Sequence, residues 1–143
     1  MAAKVLKSVL KQHPVDPKLQ ATGMRLLARI FPPTARRSNV HAAREIAVTA
    51  MEMHPFNRET AEAAFGLYSR TATSHRGAKA EVAERHASAI GSVPFSSSMF
   101  ESSRVRSASC RAMAVAARDA PAARARLVSG ALRSLQQPVV FTG

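Results

Sequence analysis

The sequence predicts an all-α protein of about six to seven short-to-medium helices, built as an irregular helical bundle or an extended helical-hairpin array. Three observations carry this. Apolar residues recur at spacings of three and four along most of the chain. Proline and capping residues interrupt those stretches at helix-sized intervals. Alanine supplies 28 of the 143 residues, which lets neighbouring helices approach closely.

The first helix spans Ala2–Gln12. Val5, Leu6, Val9 and Leu10 form one face, and Lys4, Lys7 and Lys11 the other. His13-Pro14-Val15-Asp16-Pro17 ends it and opens the second, with Asp16 as N-cap and Pro17 in the first helical position. That helix runs to about Phe31. Its apolar stripe is Leu19, Gly23, Leu26, Leu27 and Ile30, with Lys18, Arg25 and Arg29 opposite. Pro32-Pro33 stops it.

Ser38 or Asn39 is the expected cap of a third helix reaching Met53, with Val40, Ala43, Ile46, Ala47, Ala50 and Met53 inward. His54-Pro55-Phe56-Asn57 closes it and caps a fourth, Arg58 to about Ser69. Ala61, Ala64, Phe65 and Tyr68 face its core side, and Glu59 and Glu62 favour the positive end of the helix dipole. A fifth helix, Ala78–Ile90, lies between Gly77 and Gly91. Residues 92–103 read as a Ser-rich loop with Val93, Phe95, Met99 and Phe100 as anchors. Pro121 separates a sixth helix, Arg104–Asp119, from a seventh, Ala122–Gln136, and Pro138–Gly143 forms an extended tail.

Three segments share the form Pro, apolar, capping residue: Pro14-Val15-Asp16, Pro55-Phe56-Asn57 and Pro94-Phe95-Ser96. A period near 40 residues suits stacked helical hairpins. The simpler reading makes each apolar residue a staple that packs back onto its own helix.

Charge is segregated. Residues 1–40 carry eight Lys/Arg and one acid, residues 41–90 six of each, and residues 91–143 seven Arg and two acids. The chain thus divides into basic N-terminal helices (1–37, presequence-like over 1–12), a neutral helical centre (38–91), the loop (92–103) and an Arg-rich C-terminal part (104–143), all within one domain, 1–143. Basic ends around a neutral middle point to two surfaces that face something negative. The expected contact residues are Lys4, Lys7, Lys11, Arg25, Arg29, Arg36 and Arg37 at one end. At the other they are Arg104, Arg111, Arg118, Arg126 and Arg133, which keep a seven-residue spacing within each helix.

Several functions are disfavoured. Cys110 is the only cysteine, so an intrachain disulfide and a Cys-based metal site are excluded, and a lone cysteine reads as a small buried filler. No apolar run is long enough to span a membrane. Tryptophan is absent and Tyr68 is the only tyrosine, which argues against a base-stacking platform. Glu81, Glu84 and His86 form the nearest approach to a carboxylate–histidine cluster, but His86 lies off the Glu81–Glu84 face. There is no nucleophile elbow and no Gly-rich phosphate loop, since the six glycines are isolated. No catalytic residue, metal site or cofactor is expected.

Leu, Ile, Val and Phe together number only 30 of 143 residues. A core so dependent on alanine buries little area, so the fold is expected to lean on a partner. These features point to a non-catalytic accessory (supernumerary) structural subunit of a large mitochondrial multi-subunit assembly, with a respiratory-chain or ATP-synthase complex first. The expected location is the matrix or the matrix face of the inner membrane, against other subunits and cardiolipin or other anionic lipid heads. The alternative is a mitochondrial ribosomal protein that binds rRNA through its basic ends.

Overall fold

The computed structural model describes residues 2–32, 36–71, 80–92, 103–125 and 127–129. Among them are six α-helices and no strand: α1 (Ala2–Gln12), α2 (Pro17–Ile30), α3 (Arg37–Met53), α4 (Arg58–Arg70), α5 (Ala80–Ser92) and α6 (Ser103–Asp119). A 3-10 turn, Pro121–Ala123, follows α6.

Side-chain caps set the starts of α2 and α4. Asp16 caps α2, its carboxylate accepting the Leu19 N–H at 3.1 Å. Asn57 caps α4 in the same way through Thr60 N–H at 3.0 Å. The expected cap of α3 is corrected. Arg36 occupies the N-cap position without a side-chain hydrogen bond. Asn39 instead accepts a hydrogen bond from Lys7 Nζ of α1 at 3.1 Å, so a tertiary contact takes the side chain that reads as a cap. Helix α5 also runs through Gly91 to Ser92 rather than stopping at Ile90. Pro121 opens a 3-10 turn in place of the start of an α-helix, while 124–125 and 127–129 are helical. The remainder of the expected seventh helix, the Ser-rich loop over 93–102 and the Pro138–Gly143 tail lie outside the described residues.

The helices pair in chain order as hairpins, α1 with α2, α3 with α4 and α5 with α6. The hairpins stack so that α1, α3 and α5 form one layer and α2, α4 and α6 the other. The middle hairpin lies between its neighbours, so the array extends by nearest-neighbour packing, as in helical-repeat proteins. Polar links between hairpins recur at near-constant separation. His54 Nε2 donates to the Pro14 carbonyl at 2.7 Å, 40 residues away. Thr60 Oγ1 donates to the Pro17 carbonyl at 3.1 Å, 43 residues away. His86 and Arg85 reach Glu45 across 41 and 40 residues. The first two Pro-apolar-cap turns therefore sit side by side. Their apolar residues are not staples: Val15 and Phe56 are 74% and 76% exposed. The third such segment lies outside the described residues.

The core joins Leu10, Met24, Leu27, Val48, Met51, Phe65, Leu67, Tyr68 and Ile90 to many alanines. Alanine and glycine allow close helix contacts. Gly23 of α2 lies against the Leu10 side chain of α1, with no room for a β-carbon. Gln20 is buried and satisfied, donating from Nε2 to the Leu10 and His13 carbonyls at 2.8 Å each. It thereby pairs carbonyls at the end of α1 that the helix leaves without partners. Some residues placed inward by periodicity are exposed, namely Val5, Leu26, Ile30 and Met53. Cys110 is likewise exposed, on the solvent side of α6, and is not a buried filler.

Candidate functional site

A groove of about 890 Å³ crosses the layer formed by α2, α4 and α6. Helix α2 contributes Thr22, Arg25, Leu26, Ala28 and Arg29; α4 contributes Glu62, Ala63, Gly66 and Leu67; α6 contributes Ser103, Arg104, Ser107, Ala108 and Arg111. Arg25 and Arg29 lie one turn apart on α2, and Arg104 and Arg111 two turns apart on α6. Helix α4 packs between these two helices, so two arginine rows flank a floor of small side chains.

This geometry revises the picture of two separate basic surfaces. Arginines about 80 positions apart in sequence share one groove because the first and third hairpins pack on opposite sides of the second. All four are exposed. Among the described residues, none of them forms an ion pair. Glu62 is the one acid in the lining among the described residues.

The other expected contact residues are placed elsewhere. Lys4, Lys7 and Lys11 lie on α1, in the opposite layer. Lys7 binds Asn39, and Lys11 borders a second cavity of about 570 Å³ with Leu10, Pro14, His41, Glu45 and Met53. Arg36 is exposed at the start of α3, and Arg118 is exposed further along α6 without lining the groove. Arg126, Arg133 and the side chain of Arg37 lie outside the described residues. Leu10 and, in part, Leu6 pack α1 into the fold, while Val5 of the same face is exposed.

The neutral centre holds a polar network that periodicity alone did not reveal. His86 is fully buried in α5. Its Nε2–H donates to Glu45 of α3 at 2.9 Å, and its Nδ1 faces the Tyr68 hydroxyl of α4 at 3.5 Å. Burial pushes the imidazole pKa below its ordinary value, and the Glu45 carboxylate only partly offsets this. Burial alone would raise the Glu45 pKa, but the hydrogen bonds from His86 and Arg85 outweigh it and hold the carboxyl below the usual range. Arg85 Nη1 lies 2.8 Å from both Glu45 oxygens, and its Nη2 is 3.8 Å from Glu52. Arg44, also buried, lies 5.1 Å over the Tyr68 ring and donates Nε–H to Thr71 at 2.8 Å. With both ring nitrogens of His86 engaged and the ring shielded from solvent, this network ties α3, α4 and α5 together. Glu45 and Glu52 of the centre thus pair across hairpins, while among the described residues the groove arginines form no ion pair.

Among the described residues, no three His, Cys, Asp or Glu side chains are grouped to hold a metal ion. No described helix is long and apolar enough to cross a membrane. No protein-family model, no curated protein and no solved structure matches this chain.

Proposed function

We propose that this chain is a non-catalytic structural subunit that clamps an anionic partner within a larger assembly, using the groove across α2, α4 and α6. The observation that carries the reading is the convergence of Arg25, Arg29, Arg104 and Arg111 on one groove without an ion pair among the described residues. Four exposed guanidinium groups along one groove concentrate positive charge there, and partner carboxylates or phosphates form charge-assisted hydrogen bonds with such groups. The alanine-rich core supports the same reading, because it contributes little burial per residue.

The assembly we propose is mitochondrial, at the matrix side, with a respiratory-chain or ATP-synthase complex ahead of a mitoribosome. The basic, acid-free α1 supports that compartment. The experiment is sedimentation of the native protein from mildly detergent-extracted mitochondria, with and without nuclease. Under this proposal it migrates in a large particle that nuclease leaves intact, and charge reversal of the four groove arginines frees it. Release by nuclease would identify the rRNA-bound alternative. Migration as a free monomer in the untreated extract would refute both.

A further inference from the structure

The groove's dimensions and chemistry narrow its occupant, given the clamping role proposed above. Packed helices stand about 8–10 Å apart, so the α2 and α6 rows are roughly 16–20 Å apart across α4. A helix about 10 Å across would lie on α4 between these two rows. The groove's floor favours such a helix. Ala63 and Gly66 are small, and a β-carbon at Gly66 would meet nothing within 4 Å. Leu26, 49% exposed, offers an apolar edge.

The lining favours separately presented carboxylates over a continuous phosphate backbone. Its four arginines pair two-point with carboxylate and phosphate alike, so the discrimination comes from the rest of the lining. Glu62 lies on the floor between the rows, where a continuous phosphate backbone would be repelled. Among the described residues no aromatic side chain lines the groove, so none of them offers a base a stacking surface.

We infer that the groove holds an α-helix of a partner protein, lying along α4, with acidic residues on both flanks and small or apolar residues facing α4. One flank carries Asp or Glu at i and i+4, to meet Arg25 and Arg29. The other carries them at i and i+7, to meet Arg104 and Arg111. Glu62 leaves room for a basic or hydroxyl side chain near the centre.

The test is fluorescence anisotropy on the full-length protein with a labelled helical peptide of about four turns, carrying Glu at those flank positions around an Ala/Leu stripe. A Gln-for-Glu peptide, oligouridine RNA and anionic phospholipid vesicles are the comparisons. The Glu peptide is expected to bind, and the Gln peptide to bind at least about tenfold more weakly. Joint Arg25→Glu and Arg104→Glu substitution should lower Glu-peptide affinity by a similar factor, with recovery when the facing peptide residues are Lys. Gly66→Leu, whose β-carbon meets nothing within 4 Å, should block the peptide without changing the circular-dichroism spectrum. Peptide binding insensitive to both sets of substitutions would overturn the inference. So would RNA or vesicle binding that is sensitive to them when the peptide does not bind. That last outcome would keep the groove as an anion clamp and remove only the helix, which separates failure of this inference from failure of the clamping role.

Discussion

Gly23 and Gly66 are both interior helical glycines, yet alanine is expected to act with opposite sign at the two. Intrinsic propensity favours Gly→Ala by about 1 kcal/mol in a helix interior. At Gly23 that gain meets a collision. The new methyl group would fall on Leu10 Cδ2, and it would lie 3.0 Å from Cγ and 3.1 Å from Cδ1. All three branch atoms of the side chain crowd the site, and Leu10 is enclosed by the core, so rotation about one bond does not clear it. Over-packing of this kind costs about 1–3 kcal/mol, and Gly23→Ala is expected to destabilise by about 1 kcal/mol net. Removing the obstacle should reverse the sign. Leu10→Ala costs about 2–5 kcal/mol through the cavity it leaves, but in that background Gly23→Ala should stabilise by about 1 kcal/mol. The assay is a double-mutant cycle in urea, read by far-ultraviolet circular dichroism, with coupling of about 2 kcal/mol. A stabilising Gly23→Ala in the parent chain, or no coupling to Leu10, would refute the packing of α1 on α2.

Gly66→Ala meets no obstacle; it should stabilise by about 1 kcal/mol, raising the melting temperature by roughly 3 °C, and a decrease would contradict the open groove. Asp16→Ala and Asn57→Ala should each cost about 1 kcal/mol by removing a capping acceptor, measured by denaturant titration. Acidification should destabilise the α3–α5 contact. Both His86 and Glu45 hold protons less tightly when folded, so the unfolded chain takes up more protons as pH falls. The His86 contribution is complete above a pH of about 6.5 and declines below it, and the Glu45 contribution declines below about 4.5. Melting curves between pH 8 and pH 4 should show this decline, and His86→Gln should flatten its upper part; stability that is constant or rises on acidification would exclude the buried neutral imidazole.

Sequence alone determined what depends on neighbours within one helical turn. The starts of α2 and α4 follow from Asp16-Pro17 and from Asn57, whose side chains bond amides three positions on. The inward faces of α4, carrying Ala61, Ala64, Phe65 and Tyr68, follow from a 3.6-residue period. The recurrence of the Pro-apolar-cap turn at Pro14 and Pro55 is also written in the sequence, though the stacking of these two turns is not. Tertiary structure decided what depends on which helix lies beside which. It turned Asn39 from a cap into a partner of Lys7, placed Cys110 in solvent, and buried His86 against a glutamate 41 positions away. It also joined arginines of α2 and α6 into one groove, although each row read as a separate basic end. The reason is physical. Capping and periodicity are short-range and are encoded residue by residue. Stacking order and helix rotation are settled by the summed packing of small side chains such as Ala63, Gly23 and Gly66, whose individual preferences for one neighbour over another are too weak to read in isolation.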